Sequence, residues 1–152
     1  MLDDFIEANK LSAKILDCGE EVHSAKAAAR LMNVPLSKVL KSILFVDKDQ
    51  NGVLALVPGD QNVDTAKLQK VTGSSKLRLA SEKEVFEMTG YEIGGVPPVS
   101  IFGVKTVLDS CFSPSDSVFA GGGDNSHLVL IPIKEIKEFG TDLTVADISE
   151  PL

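Results

Sequence analysis

Residues 41–58 read KSILFVDKDQNGVLALVP, and this stretch decides the fold class. It contains two apolar runs rich in β-branched and aromatic residues, separated by a polar segment that ends in Asn51-Gly52. An Asn-Gly pair between apolar runs is a strong short-range signal of a β-hairpin. The stretch therefore predicts two antiparallel strands joined by a turn at Asn51-Gly52.

Helical signals lie on both sides of this hairpin. Most predicted helices follow a polar or acidic residue suited to the first turn, and several stop at a glycine, which tolerates the left-handed conformation that ends a helix. The predicted helices are 3–17, which has amphipathic spacing; 25–32 after Ser24; 64–72 after Asp60 or Asp64; 82–89, where Ser81 and Glu84 form a capping box; and IKEIKEFG, which ends at Gly140.

Further predicted strands are interleaved with these helices. They are KLRLA (76–80), a run ending at Asp109 that is broken near Gly103, the pair SVFAGGG and HLVLIP joined by GGGDNS, and an extended tail over 144–149. Strands and helices alternate irregularly and include hairpins. The sequence therefore predicts an α+β fold in a single domain over 1–152, with a mixed, mostly antiparallel sheet flanked by helices.

The composition is typical of a globular protein. Hydrophobic residues make up 43% and charged residues 24% of the 152 residues. No apolar run approaches the ~20 residues of a membrane helix, and the acidic start MLDDFIEANK lacks a signal-peptide pattern, so a cytoplasmic location is expected. Two isolated cysteines and two histidines are too few for a zinc site, so we expect no metal ion.

The net charge of −7 is unevenly distributed along the chain. Residues 106–152 contain 2 basic and 8 acidic residues, whereas residues 1–105 are close to neutral. Four cations are concentrated within one short span: Lys67, Lys70, Lys76 and Arg78. If the protein binds nucleic acid, we expect the contact to be weak and salt-sensitive, with the segment 106–152 facing away from it.

Three features could carry chemistry, and each also has a plainer explanation. Lys41 is either a solvated strand end or a cation at a cleft rim that meets a phosphate or a carbonyl. The loop 94–98, GGVPP, is either a bulky surface turn or a rigid segment that aims backbone N–H groups at a carbonyl oxygen. The segment 121–127, GGGDNSH, is either a flexible hairpin loop or a pocket lining.

The order of these features resembles a known family. The matching segments are SAKAAARLMNVPLSKVLKSILFVD (24–47), TGYEIGGVPPVSIFG (89–103), VLDSCF (107–112) and FAGGGDNSHLVLIP (119–132). Together they resemble the YbaK/ProX family of aminoacyl-tRNA deacylases, which also occurs as the editing domain inserted in bacterial prolyl-tRNA synthetases. The resemblance extends over roughly residues 20–140.

The resemblance assigns candidate residues position by position. The catalytic candidates are Lys41, Gly94 and Gly95, and the substrate-binding candidates are Pro98, Asp109, Gly121, Gly122, Asn125 and His127. Asn125 and His127 fall where family members vary. Pro97 stands where relatives often carry a small polar residue, and a second proline removes one more backbone N–H from the loop. The resemblance implies no cofactor.

The resemblance implies hydrolysis, in trans, of the ester that joins a wrong small amino acid (alanine, serine or cysteine) to a tRNA. Amides of the 94–98 loop would polarise the ester carbonyl, Lys41 would hold the terminal phosphate or ribose, and Asp109 would brace the loop. The implied partner is the acceptor end of aminoacyl-tRNA, an aminoacyl-tRNA synthetase could be a second, and neither a membrane nor DNA is expected. Two alternatives stay open: a non-catalytic module that binds a tRNA end or a synthetase, and a small-molecule or nucleotide-binding protein.

Overall fold

The computed structural model describes residues 1–152. The helices are α1 (Leu2–Ala8), α2 (Ala25–Met32), α3 (Thr65–Thr72), α4 (Glu82–Thr89) and α5 (Ile133–Phe139), and a short 3-10 turn covers Leu36–Lys38. The strands are β1 (Lys14–Asp17), β2 (Leu40–Asp47), β3 (Gly52–Pro58), β4 (Gln61–Val63), β5 (Leu77–Leu79), β6 (Lys105–Asp109), β7 (Ser117–Gly121), β8 (His127–Pro132), β9 (Leu143–Ala146) and β10 (Ser149–Pro151). None of the helices is long and apolar enough to span a membrane.

The hairpin of β2 and β3 lies at the centre of a five-stranded sheet with the order β5-β2-β3-β6-β9. β2 pairs antiparallel with β3 and β5, whereas β3 with β6 and β6 with β9 are parallel. A three-stranded antiparallel sheet, β1-β8-β7, and a two-stranded one, β4-β10, complete the fold. The predicted α+β class with a mixed, mostly antiparallel sheet is confirmed.

Strand β3 is buried along its whole length, as its unbroken apolar sequence indicates. Leu54 and Leu56 pack into the larger hydrophobic core, which includes residues of β8 and α5. Ala55 and Val57 face the opposite side, where Leu68 of α3 packs against them. Because apolar layers cover both faces of the sheet, β2 and β3 form a rigid base for the loops at their ends.

The predicted caps of α2, α3 and α4 are confirmed. The side chains of Ser24, Asp64 and Ser81 accept hydrogen bonds from the first-turn amides of Ala27, Lys67 and Glu84, respectively. At the other ends, α3 and α4 stop at glycines in the left-handed conformation. Local side-chain chemistry was sufficient to place these three helices.

The predicted helix over 3–17 is wrong beyond Ala8. The amide of the Asn9 side chain donates to the carbonyl of Phe5, and Lys10 then takes a φ of 53°, so the helix ends there. Residues 14–17 instead form β1, which pairs with β8. The backbone N–H groups of residues 12 and 13 donate to the Glu135 carboxylate of α5, which fixes the connection before β1. Pairing with a distant strand overrides the local helical pattern.

The predicted hairpin is confirmed, but its turn lies earlier than Asn51-Gly52. Gly52 is already part of β3, opposite Val46, and Gln50 takes the left-handed conformation with a φ of 66°. The Asp47 carboxylate accepts hydrogen bonds from the N–H groups of Asp49 and Asn51. This side-chain cap explains the shift, because it stabilises a turn over 47–51.

Candidate functional site

A cavity of about 320 Å³ lies where four distant segments meet: the start of α2, the start of β2, the loop after residue 93, and the facing ends of β7 and β8. Its buried walls are apolar and consist of Val22, Ala28, Val39, Leu40, Val96, Ala120 and Leu128. The polar residues that line it are His23, Ser24, Lys41 and Ser42. An apolar cleft with a few polar groups is the usual form of a ligand site.

Lys41 lines this cavity from the second residue of β2. Its ammonium group donates a hydrogen bond to the backbone carbonyl of Gln61 at the start of β4. Burial lowers the pKa of Lys41 below its ordinary value, and the nearby Asp60 carboxylate partly opposes this effect. The lysine is therefore a half-buried cation at the cavity and not a solvated strand end.

The loop over 94–96 presents two unengaged amides at the cavity. The N–H of Gly95 donates to the carbonyl of Glu92 at 3.0 Å, so it is already used within the loop. The N–H groups of Gly94 and Val96, which both line the cavity, donate to no acceptor within the chain. Pro97 carries no N–H. In this loop, Gly94 and Val96 are therefore the cavity residues whose N–H groups have no acceptor within the chain.

The turn over 121–127 packs against the 94–96 loop and fixes its position. The N–H of Gly123 donates to the carbonyl of Gly95 at 2.9 Å. A Cβ atom at Gly95 would lie 2.6 Å from the Cα of Asp124, and one at Gly121 would collide with the carbonyl oxygen of Val96. The two backbones approach so closely that only glycine fits at both positions.

The other end of the glycine loop is fixed by buried side-chain contacts. The hydroxyl groups of Tyr91 and Ser100 are hydrogen-bonded at 2.9 Å, and both residues are buried. The hydroxyl of Thr89 accepts a hydrogen bond from the N–H of Tyr91 at 3.1 Å. The segment between these anchors is thus a constrained loop and not a loose surface turn.

The structure brings only some of the predicted residues to the cavity: Lys41, Gly94 and Gly121 line it. Asp109 does not, because its buried carboxylate accepts hydrogen bonds from the N–H groups of Ile148 (2.9 Å) and Cys111 (3.2 Å). It thus holds the segment between β9 and β10 and not the glycine loop. Pro98 is buried within the loop, and Gly122 packs tightly against the backbone of residues 127–128.

The histidine beside the cavity is His23, not the predicted His127. His23 lines the mouth of the cavity, and its Nε2 lies 2.9 Å from a carboxylate oxygen of Glu21. His127 lines a separate surface hollow that also contains Tyr91 and Asp124. Its Nδ1 lies 2.7 Å from a carboxylate oxygen of Asp124, so this pair braces the 121–127 turn.

We expect Asp124→Asn to lower the pKa of His127, as followed by NMR titration. Hydrogen bonding to the Asp124 carboxylate raises the pKa of His127 above 6.5, and the same contact lowers the pKa of Asp124 below 3.8. The histidine's contribution to stability is therefore present below pH 6.5 and lost as the pH rises through its raised pKa. The aspartate's contribution is present above pH 3.8 and lost as the pH falls through its lowered pKa. An unchanged His127 titration in the variant would contradict this pairing.

Two buried side-chain oxygens in the structure have no hydrogen-bond partner, and both lie at or beside this cavity. One is the hydroxyl of Ser42, which lines it. The other is Oδ1 of Asn125, which would be 2.7 Å from a Cβ atom at Gly94. Asn125 is among the residues that the sequence predicts for the site, whereas Ser42 is not. The missed signal is a polar residue between Leu40 and Leu44, on the face of β2 that alternation assigns to the core.

We expect Ser42→Ala to stabilise the protein. A buried hydroxyl without a partner opposes folding by about 1–3 kcal/mol, so its removal should raise the free energy of unfolding by about 1 kcal/mol. The midpoint of thermal unfolding should then rise by about 2–4 °C. Calorimetry would measure this, with the exposed Ser115→Ala as the matched control. A lower midpoint for Ser42→Ala would show that the hydroxyl supports the fold.

Intramolecular ion pairs partly neutralise the predicted basic span. The ammonium of Lys67 lies 3.1 Å from a carboxylate oxygen of Asp147, and the guanidinium of Arg78 makes two hydrogen bonds of 2.8 Å with Glu84. Each exposed pair contributes little to stability but reduces the local positive potential. The basic surface available to an anionic partner is smaller than the sequence suggests.

Comparison with protein families matches residues 19–139 to the family described as aminoacyl-tRNA editing domain. Among curated proteins, the chain is 34% identical to the proline–tRNA ligase of Halalkalibacterium halodurans. The match extends over 140 residues, which are 91% of this chain and 24% of the ligase. It is also 36% identical to the Bacillus subtilis protein YwhH, in a match of 118 residues that covers 76% of this chain and 74% of YwhH. The chain thus spans about a quarter of the length of that ligase.

Solved structures with the same fold cover nearly the whole chain. The hypothetical protein APE2540 has a TM-score of 0.87 and 28% identity, with 98% of this chain and 99% of that protein covered. A candidate trans-editing enzyme for prolyl-tRNA synthetase has a TM-score of 0.83 and 30% identity, with 98% of this chain and 94% of that protein covered.

Proposed function

Because this chain belongs to the aminoacyl-tRNA editing domain family, we propose that it hydrolyses, in trans and as one domain over 1–152, the ester of a misacylated tRNA that carries a small amino acid. The observation that carries this proposal is the pair of unengaged N–H groups, from Gly94 and Val96, at the same cavity as Lys41. Two fixed donors on one side of a cleft are suited to bind the oxygen of an ester carbonyl.

The reaction requires no nucleophile from the protein. A water oxygen forms a bond to the carbonyl carbon, the bond from that carbon to the ribose oxygen breaks, and the ribose oxygen takes up a proton. Negative charge develops on the carbonyl oxygen during the attack, and the N–H groups of Gly94 and Val96 would stabilise it. These amides need little reorganisation because the loop is fixed from behind by the 121–127 turn.

Lys41 would supply positive charge to the same cavity. When its ammonium group leaves the carbonyl of Gln61, it becomes available to the ribose or terminal phosphate of the tRNA. Half-burial strengthens such a contact, because it lowers the local dielectric constant. The lysine would hold the acceptor end while the loop amides act on the ester.

The walls of the cavity support a small aminoacyl group. Ala28 and Ala120 contribute short side chains, and the buried residues around them leave about 320 Å³. An apolar pocket discriminates by ~1–3 kcal/mol per methylene, so size separates residues that differ by one methylene only modestly but separates small residues strongly from large ones. Alanine, serine and cysteine fall within the proposed class, the partner is the acceptor end of aminoacyl-tRNA, and the proposed location is the cytoplasm.

A deacylation panel tests this proposal. tRNA charged with alanine, serine, cysteine or a large residue such as phenylalanine would be incubated with the protein, and the release of the labelled amino acid would be followed. We expect release of at least one small amino acid and none of phenylalanine. Tight binding of the acceptor end without any release would support a binding module instead. Neither binding nor release would support a protein unrelated to tRNA.

A further inference from the structure

The arm of the glycine loop over residues 92–94 has little support of its own. All three residues are exposed, and their only hydrogen bond within the chain joins Glu92 to Gly95, inside the loop itself. The Gly94 amide lies at the end of this arm. Its position therefore depends on how firmly the residue before the arm, Tyr91, is held.

Tyr91 is fixed by its ring, its backbone and its hydroxyl. The residue is 3% exposed and belongs to the main hydrophobic core. Its N–H donates to the hydroxyl oxygen of Thr89 at 3.1 Å, and its own hydroxyl lies 2.9 Å from that of Ser100. The bond between the two hydroxyls joins the ends of the loop, which are nine residues apart in the chain.

Ser100 adopts a conformation that serine rarely takes. Its φ is 69°, in the left-handed region that favours glycine. The backbone is fixed on both sides, because Val99 and Ile101 are buried in the main core and the hydroxyl of Thr141 donates to the carbonyl of Ile101. A glycine would adopt this φ without strain but would offer no hydroxyl to Tyr91. The strained residue is thus the one that supplies the contact.

We infer that Tyr91 is a positioning residue, whose hydroxyl, bonded to Ser100, fixes the arm that carries the Gly94 amide. This inference rests on the proposed function, in which that amide stabilises the charge on the ester carbonyl oxygen. A displaced donor stabilises this charge less, and the loss is confined to the step in which the charge develops. Binding of the tRNA depends on Lys41 and the cavity walls in the proposed function, so it should not change.

Tyr91→Phe tests this inference, because it removes the hydroxyl and keeps the ring in the core. We expect kcat for deacylation to fall about tenfold, with KM for the charged tRNA within twofold of the wild type. The order parameter of the Gly94 N–H, measured by NMR relaxation, should fall from the rigid value of about 0.85 towards flexible values below about 0.6.

A second substitution separates positioning from stability. In Tyr91→Phe the hydroxyl of Ser100 is buried without a partner, which lowers the unfolding midpoint. Adding Ser100→Ala removes that hydroxyl, so the midpoint should recover, whereas kcat should stay about tenfold low because the contact is still absent. Thr72→Val is the matched control. It removes a hydroxyl that donates to the carbonyl of Leu68 in α3 at 2.9 Å, away from the cavity, and should leave kcat and the Gly94 order parameter unchanged.

The outcomes separate this inference from the proposed function. If the wild type cleaves esters and kcat of Tyr91→Phe stays within twofold, or recovers with stability in the double variant, the inference is wrong and the proposed function stands. A rise in KM with kcat unchanged would also overturn it. If the wild type cleaves no ester, the proposed function is wrong, and the Gly94 order parameter alone decides whether Tyr91 fixes the arm. A fall in Tyr91→Phe but not in Thr72→Val supports this role, and an unchanged value overturns it.

Discussion

Lys41→Ala is expected to lower kcat/KM for deacylation about 100-fold, which is the effect of removing one well-placed electrostatic group from an active site. Lys41 is the half-buried cation at the cavity, and its loss would leave the acceptor end without that charge. Stability should change little, because the ammonium group is bonded to a single backbone carbonyl, that of Gln61. Single-turnover deacylation and thermal unfolding would measure the two effects separately.

Two further lysine variants sharpen this test. Lys48→Ala removes an equal charge from the exposed hairpin turn and should leave deacylation within twofold of the wild type. Lys41→Arg keeps the charge but replaces a compact ammonium with a planar group, so partial activity is expected. Equal activity of Lys41→Ala and Lys48→Ala would remove Lys41 from the mechanism and leave only the loop amides.

Gly121→Ala is expected to abolish deacylation and to destabilise the fold. A Cβ atom at Gly121 would overlap the carbonyl oxygen of Val96 and lie 2.8 Å from its carbonyl carbon. Both contacts are backbone atoms, so the 94–96 loop must move and its free amides leave their positions. Overpacking of this kind costs about 1–3 kcal/mol, which corresponds to a fall of about 3–10 °C in the unfolding midpoint.

Gly52→Ala is the matched control for this substitution. Gly52 is also a strand residue, but its Cβ atom would meet only side chains: Met88 at 3.0 Å, with Leu44 and Val104 at 3.4 Å. The flexible end of Met88 can move aside, so we expect a small loss of stability and deacylation near the wild-type rate. Full activity in Gly121→Ala would contradict the proposal that this close backbone approach positions the amides.

Local side-chain chemistry was sufficient to predict a helix or a hairpin where residues close in the sequence form its contacts. The caps at Ser24, Asp64 and Ser81 depend on amides within three residues, and the hairpin depends on two adjacent apolar runs. Prediction from local chemistry failed at residues 9–17, where the amphipathic pattern of a helix is also compatible with a strand. There, pairing of β1 with β8, more than 100 residues away, decided the conformation.

The residue types of the candidate site were predictable from the sequence, but the hydrogen bonds of its individual atoms were not. The loop 94–98 stood out because it combines two glycines with two prolines. Lys41 was assigned to the site by the family resemblance, because a lysine at the head of a strand is usually a solvated end. The engagement of the Gly95 amide with Glu92, and the use of Asp109 to hold Ile148, are visible only in three dimensions. Satisfaction of a hydrogen bond depends on spatial neighbours, which a single sequence does not reveal.

By itself, the sequence determined the fold class, most of the helices and strands, and the segments that could contribute to a site. The tertiary structure alone decided what surrounds the cavity: Gly94 and Val96 line it with N–H groups that have no acceptor in the chain, and His23 lines it, whereas His127 lies in a separate hollow. The physical reason is that the cavity is built from segments up to about 100 residues apart in the chain. Helices and turns form from near neighbours, whereas burial and the pairing of polar groups arise only when distant segments pack together.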